Sequence, residues 1–352
     1  MKPLNIVSAL LLIAIVAGAP SRANSNNFPR SGDLEKLDTI IDAAFRDNYQ
    51  LAESLSIDLQ RLYPYHPIGY VMQASMIHGG MLDQERFDRE QDLYMLLELA
   101  ESKSKAMLDT LETDAWAEYC LGLAHGSRAV FDARKGSWWS AVKRGIKAKR
   151  AFTRCIKSDS SFYDAYVGLG SYHYWRTVKT GAVNWLPFVQ DDREEGLREL
   201  RVAADSSMFS RDFARDALIW VLIDMEEFEN AEKLAEECSN RYPEGKKFLW
   251  GLGYARLELK DYIGARNAFL DLLSKLESEP NSNFYNLVEC RYHLAQVQLE
   301  TRQYAECKAQ CEAALGYVLE ESVHKRLKNR LSEISKMLEK CNEALEKLAD
   351  EA

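Results

Sequence analysis

The sequence predicts an all-α protein built from repeated pairs of antiparallel helices, and three observations support this prediction. Apolar residues recur at helical spacing along almost all of the 352 residues, and alternating β-branched runs are absent. Proline is sparse, with none between Pro67 and Pro187. Small residues return at fixed intervals, which is typical of a solenoid in which each unit packs only on its neighbours.

The clearest unit lies in residues 248–269. It has small residues at two positions where paired helices cross, and large aromatic residues beside them: Gly253, Tyr262, Ala265 and Phe269. From Ala231 in the preceding unit to Ala265 is 34 residues. This pattern resembles the tetratricopeptide-repeat (TPR) family, in which a 34-residue unit is small at its eighth and twentieth positions. The resemblance covers roughly residues 33–320.

Three earlier units have a longer period. The residues at the twentieth position stand 48 apart at Ala52, Ala100, Ala148 and Gly196, and those at the eighth position stand 48 apart at Ala74, Gly122 and Gly170. Each unit therefore contains 14 added residues between its two crossing points. We expect a helix break at Gly79-Gly80 in the first, a long first helix ending near Gly136 in the second, and a loop from Thr180 to Pro187 in the third.

The downstream units are less regular. Ile219 occupies a position that should be small, whereas Ala295, Tyr304, Cys307 and Cys311 fit a further unit. Residues 321–352 predict a long amphipathic helix, which would cap the solenoid with a polar face. The resemblance thus implies an all-α, TPR-like right-handed solenoid of about seven helical hairpins with a C-terminal capping helix.

The N-terminus has the layout of a secretory signal peptide. Lys2 precedes an apolar stretch from Leu4 to Ala19, and small residues before Asn24 favour cleavage after Ala23. An uncleaved N-terminal anchor is the alternative. We expect residues 1–23 to be a signal peptide, residues 24–32 to be a flexible lead-in, and the protein to be periplasmic or secreted.

Composition and motifs narrow the function classes. Removal of residues 1–23 would take the formal charge from −9 to −11, since that segment holds Lys2, Arg22 and no acid. A net acidic chain is a poor candidate for nucleic-acid binding. Phosphate-binding loops, zinc-protease motifs and nucleophile-elbow motifs are absent from the sequence. We expect no catalytic activity and no cofactor.

A candidate binding surface follows from the resemblance, because certain positions of each first helix line the concave groove of a TPR solenoid. Reading those positions, and the one beside them, gives a set rich in rigid aromatics: Trp116, Tyr119, Tyr174, Trp175, Trp220, Trp250, Tyr254 and Tyr292. Aromatic side chains are frequent anchors of binding surfaces. The alternative is that these rings pack between neighbouring repeats.

A basic segment runs from Arg134 to Lys157 and holds nine Lys or Arg and no acid. Four of them share one helix face at i, i+4, i+7 and i+11: Lys143, Lys147, Arg150 and Arg154. Trp138 and Trp139 open the same helix. Such a face suits acidic neighbours within the chain, an acidic partner, or a membrane surface.

Cysteine and histidine patterns leave alternatives open. Cys290, His293, Cys307 and Cys311 could pack in the core, form a disulfide, or bind zinc, and we expect no metal site. His125 and His173, which lie 48 residues apart, could line a binding surface or repeat a packing role.

Together these patterns predict an exported, non-catalytic scaffold that binds protein or peptide partners in an aromatic concave groove. The alternative function is a peripheral membrane-associated envelope factor that uses the Trp138-Trp139 pair and the basic helix. The identity of the partner and the oligomeric state have no signal in the sequence.

Overall fold

The structure is a computed structural model that describes residues 28–179, 191–280 and 282–351. Within these residues the chain folds into helices joined by turns. The helices are α1 (Asp33–Phe45), α2 (Tyr49–Leu62), α3 (Ile68–Asp83), α4 (Glu90–Leu108), α5 (Ala115–Arg134), α6 (Trp138–Ser158), α7 (Ala165–Lys179), α8 (Arg193–Ser206), α9 (Arg211–Asp224), α10 (Phe228–Arg241), α11 (Lys247–Glu258), α12 (Tyr262–Glu277), α13 (Tyr285–Glu300), α14 (Tyr304–Leu315) and α15 (Glu321–Asp350).

The first fourteen of these helices form seven consecutive hairpins, and α15 packs on α13 and α14. Odd-numbered helices contact the next odd-numbered helix, as in α5 with α7 and α7 with α9, so they form one layer of the solenoid. The even-numbered helices form the other layer. The predicted all-α solenoid of about seven hairpins with a capping helix is therefore confirmed.

Small residues permit the helix crossings that the sequence predicts. A Cβ atom on Gly253 would lie 2.6 Å from the Phe269 ring, and one on Gly170 would lie 2.7 Å from the Gly196 carbonyl oxygen. Both distances are shorter than real Cβ contacts, so a side chain at either glycine would force its neighbour to move. Ile219 is tolerated at its crossing because its Cγ2 methyl group packs on Gly251. A Cβ atom on Gly251 would lie 2.6 Å from that methyl group.

The added residues lengthen helices in the first two long units. The long α5 and the turn at Gly136 agree with the sequence prediction, but α6 is also long, which the sequence did not predict. The expected break at Gly79-Gly80 is wrong, because α3 continues through both glycines to Asp83. The Tyr49 ring lies against them, 3.3 Å from where each Cβ would stand, so these glycines accept a ring instead of ending the helix. The loop expected from Thr180 to Pro187 lies outside the described residues.

Most hairpin turns share one backbone conformation. The second residue after the first helix of a hairpin has a positive φ at Asp47, Glu85, Gly136, Glu226, Lys260 and Arg302. In the turns after α1 and α9, the next amide donates to a carbonyl five residues back, from Asn48 to Ala43 and from Glu227 to Leu222. This is the Schellman geometry, which satisfies the free carbonyls at a helix end.

The two ends of the solenoid contact each other, and we call this contact the clasp. It joins the turns after α1 and α3 to the N-terminal ends of α11, α13 and α15. Asp47 accepts hydrogen bonds from the backbone and side chain of Lys246 at 3.0 and 2.6 Å, and Arg326 donates to Glu85 at 2.5 Å. Partners 199 and 241 residues apart are thereby joined.

Lys246 is the electrostatic centre of the clasp. Its Nζ lies 2.6 Å from Asp47, 3.3 Å from Asp83 and 2.6 Å from Glu279, and its side chain is only 5% exposed. Burial opposes the ammonium charge, but Asp83 and Asp47 outweigh it and raise the pKa of Lys246. Burial and the nearby Asp83 raise the pKa of Asp47 to about 6. Three carboxylates thus share one cation in a place that water reaches poorly.

An apolar contact accompanies this charged one. Phe45, at the end of α1, stacks on Phe248 with ring centroids 5.2 Å apart and also contacts Phe213 and Tyr242. Because these partners belong to α9, α11 and the end of α10, the first hairpin covers part of the odd-numbered layer. The solenoid is therefore closed on itself through its described residues.

Candidate functional site

A row of aromatic side chains crosses four successive odd-numbered helices, and we call it the aromatic ladder. It runs from Trp220 on α9 to Tyr254 on α11, then to His293 and Tyr292 on α13, and ends at Arg330 on α15. The ring centroids of Trp220 and Tyr254 lie 5.9 Å apart, and those of Tyr254 and His293 lie 4.6 Å apart. The Arg330 guanidinium lies 3.8 Å from the centroid of Tyr292.

The last two members are fixed by charged and polar neighbours. Arg330 donates to Glu289 at 2.9 Å and to Glu333 at 2.6 Å. Gln296 donates to the Tyr292 hydroxyl at 3.1 Å. A guanidinium held between carboxylates and over a ring gains both ion-pair and cation–π stabilisation, so the capping helix is attached to the ladder.

His293 is the buried centre of the ladder. Its ring stacks on Phe269 at 5.2 Å, and its Nδ1 is 2.8 Å from Gln296. Burial lowers the pKa of His293 to about 4, which keeps the imidazole neutral near pH 7. Phe269 is the ring that fills the space left by Gly253, so a helix crossing supports the ladder from below.

Trp220 and Tyr254 are the open part of the ladder. Both side chains are half-buried, and within the described residues neither ring joins a buried hydrophobic cluster. Trp220 also hydrogen-bonds to Asp216, which orients the indole. A rigid, partly exposed aromatic pair with a fixed orientation can bury apolar area against a partner at small entropy cost.

Two other predicted groove residues lie in a different place. Trp116 and Tyr119 on α5 join Phe28, Phe162 and Phe209 in what we call the N-terminal aromatic cluster. The Trp116 ring lies 4.8 Å from Phe28, 4.7 Å from Phe162 and 5.7 Å from Phe209. Tyr119 is 3% exposed. Both residues pack between the segments that precede α1, α7 and α9.

A buried carboxylate holds this cluster in position. Asp164, 1% exposed, accepts hydrogen bonds from the backbone amides of Met208, Phe209 and Ser210 at 3.0, 3.1 and 2.8 Å. It also accepts from the Ser210 hydroxyl at 2.7 Å. The segment before α9 is thereby fixed to the segment before α7, and Phe209 is held against Trp116.

The remaining predicted groove residues are divided between the core and its edge. Tyr174 is fully buried and donates its hydroxyl hydrogen to Asp224 at 2.7 Å. Trp175 and Trp250 are half-buried and pack against hydrophobic clusters. Of the eight predicted residues, the structure therefore brings Trp220, Tyr254 and Tyr292 into one row and places the others elsewhere.

The predicted basic patch lies on α6, in the even-numbered layer. Arg154 forms an ion pair with Glu118 at 2.5 Å. Lys143, Lys147 and Arg150 are exposed and line an open depression. None of these three forms an ion pair within the part of the chain that the structure describes.

The cysteine and histidine sets separate in the structure. The Cys290 thiol donates to the Phe269 carbonyl at 3.2 Å, whereas Cys307 lies beside Cys311 and Cys341 between α14 and α15. All seven thiols are free and buried. No group of metal-binding side chains forms within the described residues.

The repeated histidines are internal. His125 and His173 are 4% and 9% exposed, and His173 Nδ1 lies 2.6 Å from Glu199. Burial lowers the pKa of His125 to about 4, although Glu101 opposes this shift. These side chains repeat a packing role.

Several residues of the two aromatic groups were not predicted from the sequence to belong to them, among them Phe162 and Phe209. His293 stood out only as a possible metal ligand, Arg330 lies in the capping helix, and Phe28 lies in the predicted lead-in, yet it is 8% exposed. Their roles depend on contacts between segments far apart in sequence. No local pattern could have identified them.

Comparisons with known proteins support the fold. The chain resembles the crystal structure of the APC/C hetero-tetramer Cut9-Hcn1, with a TM-score of 0.53, 14% identity, and coverage of 88% of this chain and 55% of that one. This chain thus spans about half the length of that structure's chain. The likeness shows the TPR solenoid fold. No family model matches the sequence, and no curated protein matches it.

Two further solved structures resemble the chain more weakly. A tetratricopeptide-repeat protein from Parabacteroides merdae has a TM-score of 0.37 and 12% identity, covering 87% of this chain and 97% of that one. Yeast Tom70 has a TM-score of 0.30 and 14% identity, covering 76% and 64%.

Proposed function

We propose that this protein is an exported, non-catalytic scaffold that binds a protein or peptide partner on the aromatic ladder. The observation that carries the proposal is the open pair of Trp220 and Tyr254 on adjacent odd-numbered helices, with ring centroids 5.9 Å apart. Solenoids commonly bind extended partners along such a layer.

The charge and shape of the ladder define the kind of partner. It offers two half-buried rings, the hydroxyl group of Tyr254 and a cation at Arg330, whereas Tyr292 is only 9% exposed. The cation is already paired with Glu289 and Glu333, so it adds little net positive charge. A segment with apolar side chains for the two rings and a backbone group for the Tyr254 hydroxyl fits best.

The clasp further restricts the binding surface. Phe45 covers Phe213, Tyr242 and Phe248, so the first hairpin already occupies that part of the odd-numbered layer. The side chains of Trp220 and Tyr254 are not part of this contact. We therefore assign partner binding to the C-terminal half.

Site-specific photo-crosslinking tests the proposal. A benzophenone amino acid at Trp220 or Tyr254 should form a crosslink to a partner in the native envelope, and one at Ile263 should not. Ile263 is a suitable control because it is 78% exposed but lies on α12, in the other layer. Equal crosslinking from all three positions, or none from the ladder, would reject the ladder as the site.

The captured partner then permits a quantitative test. Trp220→Ala should weaken its affinity by about 2 kcal/mol, which is roughly thirtyfold in Kd. The free energy of unfolding should change by less than about 1 kcal/mol, because the ring joins no buried hydrophobic cluster within the described residues. A loss of affinity that appears only together with a loss of stability would indicate a packing role.

Export has its own test. Cleavage after Ala23 predicts that the protein isolated from the envelope begins at Asn24. N-terminal sequencing of that material measures this directly. Material that still begins at Met1 would contradict the proposed signal-peptide cleavage.

A further inference from the structure

Helix α6 exposes an apolar and basic face that the ladder does not use. Trp138 is 59% exposed, Trp139 82%, Val142 54% and Ile146 37%. Large apolar side chains at such exposure are unfavourable in water, and a contiguous group of them on one helix marks an interaction surface. No described residue covers them.

Seven of the nine basic residues in the segment fall into two groups, one paired within the chain and one on the exposed face. Four of the nine in the basic segment form ion pairs with acids of other helices or turns: Arg134 with Glu85, Lys135 with Glu90, Arg144 with Glu101, and Arg154 with Glu118. Internal pairing therefore explains those four. Lys143, Lys147 and Arg150 form no ion pair among the described residues, and they lie on the same face as Trp139.

We propose that this face of α6 binds an anionic lipid surface peripherally. Tryptophan is favoured at the boundary between headgroups and acyl chains, where its ring is partly buried and its indole N–H stays hydrated. Unpaired lysines and arginines on the same face are attracted to anionic headgroups. Within the described residues no helix is long and apolar enough to cross a bilayer. In the proposed contact, α6 lies on the surface of the bilayer with its exposed face toward the headgroups.

The net negative charge of the chain does not oppose this contact strongly. Its formal charge is −9, but the segment from Arg134 to Lys157 contains no acid. At about 0.1 M salt, charges more than about 10 Å apart are largely screened, so a surface responds to the nearest residues. The α6 face is therefore locally cationic.

An acidic protein partner is the competing occupant, and the apolar residues argue against it. Trp138 and Trp139 lie at the start of α6, and the depression beside them, lined by Lys143 and Lys147, is open. A bilayer needs no shape complementarity and accepts such side chains by insertion. A protein partner would have to supply a matching pocket as well as acidic groups.

Vesicle sedimentation of the mature protein tests the proposal. It should bind vesicles of phosphatidylcholine with phosphatidylglycerol, bind pure phosphatidylcholine much more weakly, and lose binding as salt is raised. Lys143→Gln/Lys147→Gln/Arg150→Gln should reduce partitioning roughly a hundredfold, since each basic residue at an anionic surface contributes about fivefold. Trp138→Ala/Trp139→Ala should reduce it on all vesicles.

Matched controls make the outcomes decisive. Lys325→Gln/Lys328→Gln/Lys336→Gln removes the same charge from exposed positions of α15, and Ile263→Ala/Val318→Ala removes exposed apolar groups elsewhere. Both control variants should bind as the parent does. Failure to bind anionic vesicles, or equal losses in the α6 and control variants, would overturn the proposal. Binding of soluble polyglutamate through α6 without vesicle binding would replace it with an acidic protein partner.

Discussion

The N-terminal aromatic cluster and the aromatic ladder are built from the same kinds of residue at related repeat positions, but they differ in what surrounds them. In the cluster, the segments before α1, α7 and α9 bring Phe28, Phe162 and Phe209 onto Trp116. In the ladder, Trp220 and Tyr254 are half-buried and within the described residues join no buried hydrophobic cluster, and their neighbours in the row are other members of it. An aromatic residue at a groove position is therefore a core residue or a surface residue according to whether a distant segment covers it.

The largest expected difference is between two alanine variants, one at Trp116 in the cluster and one at Trp220 in the ladder. Trp116→Ala should lower the free energy of unfolding by about 3–5 kcal/mol, because it leaves a cavity among four packed rings. Trp220→Ala should lower it by less than about 1 kcal/mol. Urea denaturation measures both. Equal losses would remove the distinction between a packed cluster and an open ladder.

The clasp should matter almost as much as the cluster. Lys246→Met should lower the free energy of unfolding by about 3–5 kcal/mol, because it leaves Asp47, Asp83 and Glu279 without their shared cation. Lys275→Met is the matched control, since Lys275 pairs with Asp271 at the surface and such pairs contribute about 0–1 kcal/mol. Denaturant unfolding compares them. A small effect at Lys246 would show that the two ends do not stabilise each other.

The support beneath the ladder can be tested at one glycine. Gly253→Leu should lower the free energy of unfolding by about 1–3 kcal/mol, because its side chain would displace the Phe269 ring. Since Phe269 stacks on His293, partner binding on the ladder should weaken too. Gly126→Ala is the control, because a Cβ at this helical glycine would lie 3.8 Å from Ala148, an ordinary contact, and the free energy of unfolding should not fall. An unchanged thermal midpoint in Gly253→Leu would show that this crossing is looser than the structure indicates.

The last expected effect concerns how the free energy of unfolding changes with pH. Burial lowers the pKa of His66 to about 3, beside Phe28 in the cluster. Between that value and about 6.5 the unfolded state binds one more proton at this site, so stability rises with pH by up to about 1.4 kcal/mol per unit. The pKa of Asp47 is raised to about 6, so between pH 4 and 6 the folded state binds more protons at this site than the unfolded state does. The contribution of Asp47 to stability therefore falls as the pH rises.

His66→Asn isolates this contribution. The His66 ring accepts a hydrogen bond from the Ile68 amide at 3.1 Å, and an asparagine oxygen can accept from the same amide. The variant should show a shallower rise of unfolding free energy between pH 4 and 6. An unchanged slope would mean that His66 is protonated in the folded protein.

The repeat positions could be predicted because their physics is local. A hairpin crossing needs a small residue at Gly170 and Gly253 whatever the rest of the chain does, so spacing alone identified them. The division of the aromatic residues could not be predicted, since Trp116 and Trp220 look alike at their positions in the repeat. The fit of Ile219 at its crossing could not be predicted either, because Gly251, which accommodates it, belongs to the next unit.

The sequence by itself determined the helices, the number of hairpins and their crossing points, because each depends on residues within about one repeat length. The tertiary structure decided which aromatic rings stay open and how the ends meet. Asp47 and Lys246 lie 199 residues apart, and Glu85 and Arg326 lie 241 apart. Small rotations between successive hairpins add up along a solenoid, and only their sum brings such residues together.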